Sequence, residues 1–339
     1  MTLRKWSRSV SRVNRSRTTL VSCSVDSAYR PRCLRTVSAG VPLELGAYYS
    51  LLTVDGTFVD GYESEGWNSM AHEGRGVLPD LHSEVPNICI PVHSVGHVGV
   101  KRIVAIDEHA SAAMVVMDIS VGLYAHQRGA HMSRLIECVD RPGPQPTVLD
   151  YAQGIFERLR GAVPGAASWS VDARATIVLP HDGGFKPIEE ICRIEAAERT
   201  EVTWGAAFKV CLACPQAQSA IAFDRDDMDN VGEHPSHNQV CDLEITVTGD
   251  LTTVAGRSLA DLLAVGECAA SGPVRELYKR RGEADAVTAI HHNAVFAEDA
   301  LRIIADKTRV QFPTATRVTC QIVNYESVFE YPLRCVVIV

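Results

Sequence analysis

Between positions 211 and 241 the chain gathers five side chains able to bind a soft or borderline metal: Cys211, Cys214, His234, His237 and Cys241. Thiolate and imidazole are the donors that zinc and ferrous iron prefer. Cys211 and Cys214 stand in C-x2-C spacing, His234 and His237 are three apart, and Cys241 follows four residues later. Five candidates for four positions do not match a structural zinc site, and on a strand, residues three apart face opposite ways. Cys211 and Cys214 therefore need not share a ligand shell. The ordinary alternatives are core thiols for Cys211 and Cys241 and a solvated His234. His291 and His292 lie in another segment and read as surface residues.

The elements that would position these groups follow from hydrophobic periodicity. Residues 98–124 read as two strands around a polar turn at Asp107–Ala110, with alternation in Val115, Met117, Ile119 and Val121. Residues 129–138 and 148–162 read as helices, separated by the break at Arg141–Pro146. Residues 168–180, 188–212 and 241–249 read as strands. A helix over Leu259–Val265 is expected to continue into Gly272–Arg280, a second helix covers Ala297–Asp306, and strands at 315–324 and 333–339 close the chain. The order strand, strand, helix, helix, strand, strand thus occurs twice, without a visible sequence repeat.

The length, 339 residues, suits two domains. With 46% hydrophobic and 22% charged residues the composition is that of an ordinary soluble globular protein. No stretch approaches the ~20 apolar residues of a membrane span. A net charge of −8 argues against a general nucleic-acid binder. Charge is uneven, however. Residues 1–36 carry nine Lys/Arg and a single acid, Asp26, leaving the remainder at −16. A Ser/Arg-rich, acid-poor segment cannot bury enough apolar surface to fold alone. Residues 1–75 therefore read as a basic, disordered extension, with an organellar transit segment or an alternative start at Met70 as other readings; no apolar stretch marks a secretory signal. Order is expected to begin near Val92. Eleven scattered cysteines, an odd number, do not form the disulfide framework of a small secreted domain, which favours the cytoplasm.

Six segments, in order, resemble the prokaryotic type IB GTP cyclohydrolase I family. They are Pro79-Asp80 with Val95–Lys101 (VGHVGVK), then Arg128–Arg134 (RGAHMSR), and Ala213–Gln218 (ACPQAQ). Ser236–Gln239 (SHNQ) follows, then Gly266–Pro273 (GECAASGP) with Leu277–Arg280 (LYKR), and finally Asn324–Ser327 (NYES). The matches span residues 79–331.

The resemblance implies an α+β chain of tandem tunnelling folds, each an antiparallel sheet with helices on one face, with the first half at 76–187 and the second, metal-bearing half at 188–339. In the family, barrels close on oligomerisation, so a homo-oligomer (dimer or tetramer) with sites at subunit interfaces is expected. By motif position the metal ligands would be Cys214, His237 and Glu267, leaving one coordination position open, as catalytic sites do. The ion would be Zn, Fe(II) or Mn. It would lower the pKa of a bound water for attack on C8 of the guanine of GTP, with formate released towards a dihydroneopterin phosphate. Glu283 is the position that would hold the guanine edge, and His131, Ser133 and Arg134 would contact the triphosphate.

Two departures stand out. Gln216 occupies the place of the family's second cysteine, and Phe329 and Tyr331 stand where the family has histidines. Phenylalanine exchanges no protons, and loss of a general acid or base typically costs ~10²–10⁴-fold. Glu326 or Glu330 could substitute. The alternatives are a specialised paralogue that uses a related purine nucleotide or stops at a ring-opened intermediate, and a non-catalytic purine- or pterin-binding scaffold.

Overall fold

The computed structural model describes residues 80–339 apart from 108–110, 140–142 and 183. The basic extension expected over residues 1–75 lies outside them. The strands are β1 (Val92–Ile106), β2 (Ser111–Leu123), β3 (Ser168–His181), β4 (Gly184–Ala196), β5 (Thr200–Ala213), β6 (Asn238–Gly249), β7 (Gly272–Pro273), β8 (Arg317–Asn324) and β9 (Leu333–Ile338). They form one antiparallel sheet in the order β1-β2-β3-β4-β5-β6-β8-β9, with β7 added beside β5.

One face of this sheet is apolar and the other mostly polar, as a period of two demands, with Ile103, Met114, Val178 and Phe185 exposed on the second face. Val115, Met117 and Ile119 of β2 lie in register with Ala175, Ala173 and Val171 of β3, and all are buried. The same face continues through Val202, Trp204 and Ala206 of β5 to Ile245 and Val247 of β6. Three helices cover it: α2 (Val148–Ala162), α5 (Leu259–Ala269) and α7 (Ala297–Gln311), all within one core. Thr147 caps α2 by accepting from the Asp150 N–H at 3.0 Å, and Ser258 caps α5 by accepting from Ala260. The other helices are α1 (Met132–Glu137), α3 (Pro215–Asp224), α4 (Leu251–Val254) and α6 (Arg280–His292); Leu135 of α1 and Val254 of α4 join the same core.

Two halves of strand-strand-helix-strand-strand order are therefore joined edge to edge, the tandem tunnelling-fold arrangement. The boundary expected at 187/188 falls inside β4, and the halves meet instead at the turn 197–199. The single strand expected over 188–212 is two strands. Its alternation lapses over Ala197–Glu201, but no Gly or Pro marks the reversal, and Ala196 pairs with Thr200. The helix expected to run into Gly272–Arg280 ends at Ala269. Pro273 disfavours helical geometry at Gly272, the pair Gly272–Pro273 joins β5, and α6 starts only at Arg280. Among the described residues the sheet stays open, with β1 and β9 as its edges. No helix among the described residues is long and apolar enough to cross a membrane. All nine described cysteines are free.

Candidate functional site

Cys214 lies where β5 ends and α3 begins. It is the N-cap residue, with Pro215 in the first helical turn, so its thiol stands at the positive end of the helix dipole. The Cys214 N–H donates to the His237 carbonyl at 3.2 Å. The Ser236 hydroxyl donates to the Cys214 carbonyl at 2.7 Å. These bonds zip the end of β5 to the start of β6 and bring Cys214 and His237 to one cavity of about 350 Å³. Gln239, Asn324, Glu326 and Phe329 line it too.

The His237 ring is oriented from behind. Its Nδ1 lies 3.0 Å from Gln239 Oε1 and 3.2 Å from Glu326 Oε2. The amide oxygen is aligned as acceptor, whereas Glu326 Oε2 is close without hydrogen-bond alignment. The Asn324 amide holds the other oxygen of Glu326 at 2.6 Å and accepts from the Cys241 thiol at 3.0 Å. With Nδ1–H committed to Gln239, Nε2 keeps its lone pair for the cavity. On the outer side Phe329 meets the His237 ring edge-on, with centroids 6.2 Å apart.

Glu267 is placed elsewhere. It sits on α5, which lies so close to the sheet that a Cβ on Gly266 would stand 2.6 Å from both Phe208 and Leu243 side-chain atoms. Its Oε1 lies 3.2 Å from Lys186 Nζ and its Oε2 2.9 Å from His181 Nε2. Lys186 is buried on the helix-bearing face of β4, just below Pro187, where β4 diverges from β5 and β7 takes its place. Its ammonium donates to the Lys209 and Val274 carbonyls at 2.8 and 2.7 Å, closing the split. Burial pushes the Lys186 pKa below the ordinary lysine value, with the Glu267 carboxylate opposing the shift. Lys209 precedes Cys214 by five residues, about 16 Å of extended strand.

Among the described residues, no three His, Cys, Asp or Glu side chains gather as a metal-binding set. Two of the three implied ligands therefore share a cavity, and the third does not join them within one chain. Glu283 is exposed in the first turn of α6 and does not line the cavity. His131 is the N-cap of α1 in left-handed conformation, with its ring 4.9 Å from His82; Ser133 and Arg134 are exposed on the same helix. The His97 ring meets the Met132 carbonyl at 3.0 Å, which places this group beside β1, four strands or about 19 Å from β5.

Cys211 and Cys241 are buried thiols, and burial pushes Cys241 up to about 12. His234 is not solvated: it is buried, 3.1 Å from Asp227. His291 is half-buried and bonded, whereas His292 is exposed and pairs with Glu233 at 3.0 Å. Asn324 and Glu326, two apart at the end of a strand, are a polar pair on one side that period-two reasoning could have singled out. Lys186 and His181 gave no such signal, because their role depends on the split between strands.

A profile described as type I GTP cyclohydrolase folE2 matches residues 78–333. The chain is 25% identical over 294 residues to GTP cyclohydrolase MptA 1 of Methanocella arvoryzae, covering 75% of this chain and 91% of that protein. It is 26% identical over 245 residues to GTP cyclohydrolase FolE2 of Exiguobacterium sp., covering 67% and 76%. Among solved structures, uricase from Arthrobacter globiformis superimposes with a TM-score of 0.46 at 9% identity, over 73% of this chain and 92% of that one.

Proposed function

Since this chain belongs to the type I GTP cyclohydrolase folE2 family and is thus a hydrolase acting on GTP, we propose that it opens the guanine imidazole ring at C8 and releases formate towards a dihydroneopterin phosphate. The observation that carries this reading is the cavity lined by both Cys214 and His237, whose ring has its tautomer set by Gln239 and is faced by Glu326. A ring N–H bonded to an oxygen acceptor behind it is how ligating histidines are oriented.

Thiolate and imidazole suit Zn, Fe(II) or Mn. Such an ion would lower the pKa of the attacking water. Cys214 and His237 are the residues to hold it. Glu267 completes the set only if it leaves Lys186 and His181, so no step below depends on the ion.

The chain's own groups supply proton handling. Attack of water on C8 releases a proton, and ring opening requires one at the departing nitrogen. The Glu326 carboxylate, 3.2 Å from the His237 ring, is the group where a proton can be taken up and returned. Tyr331 is exposed, and Phe329 offers none. The apolar walls from Val295, Phe296 and Leu333 limit the water around these groups.

His131, Ser133 and Arg134 reach the same nucleotide only from a second subunit, because in one chain they lie beside the far edge strand. The open β1 and β9 edges leave backbone groups for such an assembly, a dimer or tetramer. Glu283, exposed on α6, meets the guanine edge under the same condition.

The test is formate release from GTP by protein reconstituted separately with Fe(II), Mn(II) and Zn(II), with Cys214→Ala as control. Formate together with a fluorescent pterin supports the full reaction, and the absence of formate under all three metals refutes it. Phe329 packed on His237 favours a second reading, a reaction that stops at a ring-opened intermediate after formate is lost and before the pterin ring closes; formate without pterin would establish it.

A further inference from the structure

The two groups proposed to act, Cys214 and His237, are joined to each other only through backbone, and a polar network behind them fixes that backbone. Gln218, one turn into α3, is buried at 2% exposure. Its side-chain N–H groups donate to the carbonyls of His234 and His291, both at 2.9 Å. One amide thus spans three segments: the helix capped by Cys214, the loop leading to His237, and the end of α6. A second link runs back from α6. The His291 ring reaches the Ser236 carbonyl through Nε2 at 3.1 Å and the Val287 carbonyl through Nδ1 at 2.9 Å. The Ser236 hydroxyl in turn donates its one proton to the Cys214 carbonyl at 2.7 Å, with the His237 carbonyl also within reach at 3.1 Å.

The circuit Gln218, His291, Ser236, Cys214 and His237 is closed. Both ring nitrogens of His291 face carbonyl oxygens. A neutral imidazole donates to one of them and the imidazolium to both. None of Gln218, Ser236 or His291 lines the cavity, so none touches the reacting atoms. The His234 carbonyl, buried beneath the loop, would lose its donor if Gln218 were apolar, whereas the His291 carbonyl keeps the Ala294 N–H; an unmet buried carbonyl biases the loop to move towards water.

We propose that Gln218 and His291 are positioning residues for this reaction: they set the separation and orientation of Cys214 and His237 by clamping the Pro235–His237 loop between α3 and α6. The proposal rests on the reading of Cys214 and His237 given above. It adds that the competence of that pair is set by α6, an element that contributes no residue to their cavity.

The experiment uses the full chain and three variants. Gln218→Met keeps the side chain's length and removes both donors. His291→Leu removes the link to Ser236. His291→Gln keeps an N–H able to reach it. Three readouts are taken: imidazole nitrogen spectra of the metal-free protein, with His237 assigned through His237→Gln; Co(II) affinity by competition titration; and kcat and KM for GTP.

In the wild type, His237 shows one fixed tautomer carrying its proton on Nδ1. In Gln218→Met and His291→Leu that signal averages between tautomers. Co(II) binding weakens about 10–100-fold, the usual cost of losing outer support for a ligand. The kcat falls while KM for GTP changes less than about threefold, and His291→Gln restores most of the loss. The proposal is overturned if both disrupting variants keep the His237 signal and Co(II) affinity of the wild type and only melt earlier, because the network would then be structural alone. If Gln218→Met fails to fold, His291→Leu, in the last turn of α6, decides. If the wild type releases no formate and binds no Co(II), the functional reading fails by itself, and the His237 spectra still decide whether the network positions that ring.

Discussion

Replacing Lys186 by Met removes the cation on which the split between β4 and β5 is closed. The side chains of Lys186 and Glu267 are only 5% and 13% exposed, so solvent screens their interaction little. The substitution leaves Glu267 with His181 as its remaining partner and strips the Lys209 and Val274 carbonyls of their donor. Breaking a buried pair by removing one member costs about 3–5 kcal/mol. At about 2–4 °C per kcal/mol for a chain of this size, the melting temperature of metal-free protein should fall by about 6–20 °C. The double variant Lys186→Met/Glu267→Gln should recover much of that loss, since the uncompensated carboxylate is gone. The pH dependence carries a second signature. The folded Lys186 titrates below the unfolded value of 10.5, so between those two values the unfolded chain binds the extra proton. Wild-type stability therefore rises with pH through that window, and the Met variant lacks this contribution. Thermal unfolding followed by circular dichroism at a series of pH values measures both effects. A Lys186→Met melting temperature within about 2 °C of wild type would refute the reasoning, and would mean that Glu267 is not committed to this cluster.

Phe329→His places a proton-exchanging ring beside His237 and should raise formate release by about tenfold or more; no gain with metal content unchanged would show that the missing acid or base does not act from that position. Burial pushes Cys241 and Cys320 up to about 12, so iodoacetamide at neutral pH should leave both unmodified in the folded chain while the exposed Cys89 and Cys268 react. Mass spectrometry of the digested protein checks this, and early labelling of Cys241 would contradict the packing described. Burial raises the Asp242 pKa, but hydrogen bonds from Lys209 and Tyr325 together outweigh it and hold the carboxyl below its ordinary value of 3.8. The small stabilisation this gives is present above that value and lost as pH falls through the folded one, and Tyr325→Phe should move the Asp242 carboxyl titration upward by NMR. An unmoved titration would remove Tyr325 from the explanation.

The motif segments gave the family, and alternation of apolar residues gave most strands, because a sheet with one buried face writes its period into the chain. Cys214 and His237 were legible for the same reason as the family: both belong to short, contiguous motifs. What periodicity could not locate were reversals without turn residues, as at Glu198-Arg199, and breaks imposed by a neighbour, as at Gly272–Pro273. The surroundings of His237 were only half legible, since Glu326 lies in a recognisable motif but acts across two strands.

The sequence by itself determined most of the elements and the buried face of most strands, and its contiguous motifs, through the family they resemble, put Cys214 and His237 forward. Those properties depend on residue type and on spacing within a few positions. Tertiary structure alone decided where Glu267 goes, that Lys186 meets it, and that Gln218 and His291 brace the loop of His237. Each of these depends on where β4 parts from β5 and how α5 and α6 lie against the sheet, contacts between residues up to 88 positions apart that no local pattern encodes.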